Sequence, residues 1–247
     1  MKSFLTLLKN ELKLNIRNMN MVIFAVIMPL IVLVILGFLN GTKPAAYGVE
    51  YTFMEQSFGA LCTISICAGG LMGLPLVVSE YQERKILKRF QVTPVSPIKL
   101  LAVELTIYMI YCLVSMITLI LVAMIFWKVT IHGSWLAFLG SWLLTMISTL
   151  SIGMMIGGIA KNSKSASVIA CLLYFPMLIF SGTTLPFEVM PEVIQKIVRV
   201  FPMTQGIQLM KATFLGLTVD NIKLPVIVMG TVTMLCAGIS IKYFKWE

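Results

Sequence analysis

LLAVELTIYMIYCLVSMITLILVAMIFW, residues 100–127, holds one charged side chain, Glu104, in 28 positions. As a helix it would rise about 40 Å, more than the roughly 30 Å hydrocarbon core of a bilayer. So long an uncharged run suits lipid better than the interior of a soluble domain. Five further runs approach spanning length, at 21–39, 53–78, 135–160, 166–185 and 224–241, with polar, Gly or Pro breaks between them. The sequence therefore predicts an all-α integral membrane protein with six transmembrane helices.

Composition agrees. The 247 residues are 59% hydrophobic and 12% charged, where soluble domains carry about 25% charged residues. Six spans with short loops leave no room for a separate soluble domain of roughly 100 residues, so 1–247 reads as a single transmembrane domain and any catalytic engine is expected on another chain. The first apolar run is too long for a signal-peptide core and no A-x-A site follows it, so cleavage is not expected. Cys62, Cys67, Cys112, Cys171 and Cys236 lie inside apolar runs at spacings that fit neither a metal site nor a disulfide framework. They read as small core residues.

A net charge of +9 raises the question of nucleic acid, yet Lys and Arg fall between the apolar runs, with no basic face and no RNA-reading motif. Counted by alternate connections they divide thirteen against six. The richer side holds Lys2, Lys9, Lys13, Arg17, Arg84, Lys85, Lys88, Arg89, Lys99, Lys161, Lys164, Lys242 and Lys245. The positive-inside rule places that side, and both termini, in the cytoplasm.

Residues 2–17 read as an interfacial amphipathic helix. Lys2, Thr6, Lys9, Asn10, Lys13 and Arg17 share one arc and Phe4, Leu5, Leu8 and Leu12 oppose them, with Glu11 an exception on the apolar side. A membrane anchor and a docking element for a partner both fit, and attraction to anionic membrane lipid suits either. The connection 79–97 begins SEYQERKILKRFQV, in which Ile86, Leu87 and Phe90 make a narrow apolar stripe before Pro94 and Pro97 stop the helix. The alternative is a solvated loop. In the external connection 186–223, Val193, Ile194, Ile197, Val198 and Phe201 share a face, Pro202 breaks it, and Ile207, Met210, Phe214 and Leu215 resume helical spacing. These short helices either lie on the membrane or dip into it, where protein or water must satisfy their backbone ends.

The two connections, ERKILKRFQVTPVSPIKLL after the second span and SGTTLPFEVMPEVIQKIVRVFPMTQGIQLMK after the fifth, resemble those of ABC-2 type permeases, the transmembrane subunits of ATP-binding-cassette exporters. The resemblance covers nearly the whole chain. It implies that 79–97 contains the coupling helix seated on an ATPase subunit, with Glu83, Arg84, Leu87, Lys88, Arg89, Pro94 and Pro97 at matching positions. Lys85 and Ile86 stand where the family commonly has Gly and Thr, which bears on any close backbone approach at Lys85. Physics adds a reason for these residue types: a rigid helix with apolar residues to seat and charges to fix register transmits a displacement that a Gly/Ser loop would absorb.

The chain has no GxxxxGK[ST]; the nearest approach, Gly153–Gly158, has Ile159 where Lys is needed. Gly153 with Gly157, and Gly69 with Gly73, read instead as small-residue packing motifs. The resemblance thus implies no cofactor on this chain, ATP and Mg on two partner ATPase subunits, and a second permease, identical or a sister chain. It also implies that the second and fifth spans line the substrate path, with Thr63, Ser65, Met72, Tyr174, Phe175, Met177 and Phe180 as candidates beside Cys67. Ser181, Gly182, Pro186 and Glu188 are candidates for an external gate, and Pro75 and Pro176 for kinks in the two spans.

The expected function is outward movement of an amphipathic drug, peptide antibiotic or lipid-like substrate across a bacterial plasma membrane. A lipid-linked glycan or polysaccharide is the alternative cargo. An autonomous channel or ion-coupled carrier would need ionisable groups at mid-membrane. An intramembrane enzyme would need paired acids, a Ser–His pair or a zinc motif. His132 alone makes no metal site. Glu104, near the start of its span, is expected to brace a cation of the coupling segment.

Overall fold

A computed structural model describes residues 2–17, 19–45, 51–91, 96–180, 191–217 and 222–243. Those residues are almost wholly helical: α1 (Lys2–Arg17), α2 (Asn20–Val22), α3 (Met28–Asn40), α4 (Phe53–Cys67), α5 (Leu74–Glu83), α6 (Ile86–Gln91), α7 (Pro97–Trp127), α8 (Trp135–Ile159), α9 (Ser163–Phe180), α10 (Glu192–Val198), α11 (Pro202–Leu215) and α12 (Lys223–Tyr243). Six uninterrupted helical stretches are long and apolar enough to cross a membrane, at Ile23–Asn40, Phe53–Glu83, Pro97–Trp127, Trp135–Ile159, Ser163–Phe180 and Lys223–Lys242.

Two spans change register at proline. Ile23–Ile27 is a π-helical turn just before Pro29, and Ala68–Gly73 another just before Pro75. Proline lacks an N–H and its ring crowds the carbonyl four residues earlier, and a wider turn relieves that crowding. For Pro29 that carbonyl belongs to Ala25, and the Ser65 hydroxyl donates to it at 2.7 Å. The first and second spans are thereby tied through a bond one of them could not make alone. Pro176, by contrast, lies inside a continuous α9.

The second span is the centre of the bundle: most of it is buried, whereas the first, fifth and sixth spans expose most of their surface. Glycine makes that burial possible. A methyl group on Gly153 of α8 would overlap the Gly70 carbonyl oxygen, and one on Gly157 would run into Val78. On the other flank, a methyl on Gly73 would collide with the Tyr108 ring of α7. Both predicted small-residue motifs are therefore contact surfaces, one for α8 and one for α7.

The last connection dips inward. Along α11, Pro202, Met203, Thr204, Gln205, Gly206, Ile207, Leu209, Met210, Phe214 and Leu215 are buried, with Met210 against Gly59 of α4 and Gly206 against Thr145 of α8. At one end Phe214 stacks on Phe58 with centroids 4.9 Å apart. At the other, Met203 Sδ is 3.1 Å from Cys67 Sγ, about 20 Å along the second span from its first residue. At the deep turn Gln205 Nε2 donates to the Arg199 carbonyl at 2.7 Å and Pro202 has no N–H to satisfy, while the Thr204 hydroxyl is buried without a hydrogen-bond partner. So α11 is a re-entrant helix, the inward of the two readings the sequence allowed. Residues 181–190 lie outside the described set, and with them the gate candidates Ser181, Gly182, Pro186 and Glu188.

The remaining differences concern helix ends. The second span runs five residues beyond 78, to Glu83, and the third starts at Pro97. Four of the five cysteines are buried and Cys171 is half-buried, as core residues should be. At the end of the bundle opposite α1, Thr52 and Glu55 form a capping box at the start of α4. Glu55 also accepts hydrogen bonds from Thr130 N and Oγ1, each at 3.1 Å, and lies 3.4 Å from His132 Nε2. His132 thus has an acidic neighbour, and among the described residues no group of three metal-ligating side chains occurs.

The glycine contacts yield a graded prediction. Gly153→Val should destabilise the purified protein by about 3 kcal/mol or prevent its insertion, because overpacking costs roughly 1–3 kcal/mol even where side chains give way and here the obstacle is backbone. Gly140→Ala, with open space around it, should leave thermal unfolding in detergent unchanged or slightly improved.

Candidate functional site

The short helix α6 follows α5 after two residues. Arg84 N donates to Glu80 O at 2.9 Å and Lys85 N to Gln82 O at 3.0 Å, closing α5. Lys85 then takes φ +52°, the left-handed conformation that glycine adopts most readily. The resemblance implies Gly at this position, and the Lys that stands here carries the turn at the cost of local backbone strain. The Lys85 carbonyl accepts from Arg89 N at 3.3 Å, and α6 begins.

One face of α6 is sunk into its own chain. Leu87 is 3% exposed within the main core, and Ile86 and Phe90 pack against the same core. Leu87 was expected among the residues that seat on a partner; it instead roots the helix, because the nearest apolar surface is that of α5 and α7. Lys85, Lys88 and Arg89 are exposed on the outer face, beside Arg84, which pairs with Glu80 at 2.9 Å. Pro97 is buried at the first position of α7. Pro94 lies outside the described residues.

Glu83 binds the start of another span. Its Oε2 accepts from Ser163 N and from Ser163 Oγ, each at 2.9 Å. These donors belong to the first turn of α9, whose orphan N–H groups and dipole favour a carboxylate. Asn162 and Ser165 complete that start reciprocally: Ser165 N donates to Asn162 Oδ1 at 2.8 Å, and Asn162 N to Ser165 Oγ at 3.2 Å. The second and fifth spans are therefore clamped together directly above α6.

Glu104 has no cation from the coupling segment. It is fully buried and accepts the Tyr81 hydroxyl at 2.7 Å, which corrects the expected pairing. The neighbouring side chains come from α1, whose Phe4, Leu8 and Leu12 pack on the core while Leu5 is exposed. Glu11 lies on that inner face because it has a polar site to enter.

The path candidates separate. Thr63 is fully buried with its hydroxyl donated to Gly59 O at 2.6 Å, and Ser65 is committed to Ala25. Both hold helices together and present nothing to a passing molecule, so they leave the path set. Met177 and Cys67 share a second apolar cluster with Leu71, Met203 and Ile207, and Tyr174 packs against it. Phe175 points outward at 53% exposure, in line with Val168 and Leu172. Met72 and Phe180 are half-buried.

A bundle of six spans, a re-entrant helix and a short helix with a cationic outer face, set where the second span is hydrogen-bonded to the fifth, fit a membrane permease architecture. The chain belongs to the ABC-2 type transporter family, whose model matches residues 2–215. Over 150 residues it is 27% identical to inner membrane transport permease YhhJ of Escherichia coli, an alignment covering 60% of this chain and 40% of that protein. Over 181 residues it is 26% identical to a protein described as probable multidrug ABC transporter permease YbhS of Escherichia coli, covering 73% of this chain and 46% of the relative. The chain thus spans less than half the length of the curated relatives it matches.

The turn between α5 and α6 gives a sharp check. Lys85→Gly should stabilise the purified protein by up to about 1 kcal/mol, and Lys85→Val should destabilise it by about 1–2 kcal/mol. Thermal unfolding of both variants in the same detergent reads the sign.

Proposed function

We propose that the chain is the permease subunit of an ABC exporter in a bacterial plasma membrane, with α6 as its coupling helix. What supports this reading is the combination at α6: an apolar face anchored to the chain itself, a cationic outer face, and the Glu83–Ser163 clamp to α9. ATP and Mg reside on separate ATPase subunits, two per assembly, paired with two permeases. ATP-driven closure of those subunits pushes on Lys85, Lys88 and Arg89. The clamp passes that push to the second and fifth spans, and the path between permeases opens outward.

The cargo in this reading is an amphipathic drug, peptide antibiotic or lipid-like molecule. Tyr174, partly exposed, and Phe175, exposed, give the fifth span an aromatic surface that suits apolar cargo, with Met177 packed beneath it. The name of the YbhS relative includes multidrug transport, which points the same way. In this reading both termini face the cytoplasm, which the distribution of Lys and Arg supports.

Affinity purification from native membranes should recover an ATPase subunit in stoichiometric amount. Lys88→Glu with Arg89→Glu should weaken its retention by roughly tenfold or more, as reversal of charges at an interface of about 1.4 kcal/mol or greater would, while the permease stays folded and inserted. Unchanged retention would remove α6 from the interface.

A further inference from the structure

Beneath α6, three elements meet at one polar cluster. From α5, the Tyr81 hydroxyl donates to Glu104 Oε1 of α7 at 2.7 Å. From α1, the Glu11 carboxyl lies against the same tyrosine hydroxyl and within the field of Glu104. Asn15, one turn further along α1, donates one amide hydrogen to the Glu11 carbonyl at 3.2 Å and has its second beside Glu104. Glu104 Oε2 is left buried and without a hydrogen-bond partner.

Hydrogen counting constrains this arrangement. A tyrosine hydroxyl has one hydrogen, and here Glu104 takes it. Glu11 and Glu104 therefore compete for that one hydrogen, and a carboxylate has none of its own to give. The other groups that act on the cluster are Tyr108 and Tyr111 of α7, which are neutral hydroxyls. The cations of α1, Lys9, Lys13 and Arg17, are exposed on its other side. Arg84 of α5 pairs with Glu80, and Lys88 and Arg89 of α6 face outward. A fully buried carboxyl, Glu104, and a half-buried one, Glu11, therefore share this cluster with no cation shown to compensate them.

We infer that Glu11, Tyr81 and Glu104 form a proton-binding site in which at least one proton on the two carboxyl groups latches α1 to the second and third spans. Burial raises the Glu11 carboxyl above the ordinary carboxylate range, in agreement. The direction of linkage follows. The docked helix binds the proton more tightly than the released one, so docking is strongest at low pH and is lost as pH rises from the ordinary carboxylate range through the docked value. In that window one proton changes the docking equilibrium by at most tenfold per pH unit. Since α1 lies against the helices that carry α6, proton release would loosen the support of the coupling helix.

The test uses the full chain in nanodiscs of zwitterionic lipid, which avoids the proton enrichment of an anionic surface. Difference infrared spectroscopy at neutral pH should contain a protonated carboxyl C=O band that Glu104→Gln or Glu11→Gln removes. Hydrogen exchange of residues 2–17, corrected for intrinsic rates, should rise with pH in the wild type and become flat in the Gln variants. A spectrum in which neither Gln variant removes a carboxyl band, or α1 protection independent of pH in the wild type, would overturn the inference. Should Glu104→Gln fail to insert, Glu11→Gln at the accessible side of the cluster carries both measurements.

Discussion

The close approach of Gly153 to the Gly70 carbonyl is the contact on which the rest of the bundle depends. Lipid offers no hydrophobic drive for helices to associate, so packing and a few polar bonds must supply the specificity. By letting two backbones touch, this pair seats α8 against the second span. That seating buries the second span from Met54 to Val78, and the re-entrant α11 finds its slot between α4 and α8. A side chain at Gly153 would push into the Gly70 backbone and separate the layers, leaving α11 without a wall.

Proline adds a second constraint, answered locally. Each π turn widens the helix ahead of a proline, at Pro29 and Pro75, and the first leaves a carbonyl that Ser65 satisfies. The second span is thus fixed by α8 on one side, by α7 at Gly73 and by the first span through Ser65. A helix held on three sides moves as a unit, and at its end stand Glu83 and α6. The hydrogen bonds from Ser163 to Glu83 join the start of the fifth span to that end, and the proposed coupling rests on this contact.

Much of this was legible in the residues. The six spans, the helix over Lys2–Arg17, the packing role of the glycines and a short helix at Ile86–Gln91 follow from periodicity, proline and residue size. Several side-chain assignments were not. Leu87 carried an apolar signal that says only that it seeks apolar surface, and the nearest surface was internal. Thr63 and Ser65 looked like polar lining because their backbone acceptors, Gly59 and Ala25, are revealed only by depth and register. The Ala25 acceptor was readable in principle, four residues before Pro29. The Ser163 partner of Glu83 lies 80 residues away and no local pattern announces it. Glu11 looked anomalous on an apolar face until Tyr81 and Glu104 supplied a polar site for it.

The central claim is that α6 and the start of α9 move as one body. Spin labels at Arg84, in the turn that leads into α6, and Lys164, both exposed, allow their separation to be measured by pulsed dipolar spectroscopy in the assembly with its ATPase subunit. The account predicts a single narrow distance distribution, identical without nucleotide and in the ATP-trapped state, and a broadened one in Glu83→Ala. A distance that changes on ATP trapping in the wild type would contradict it, because the clamp would then open during the step it is proposed to transmit.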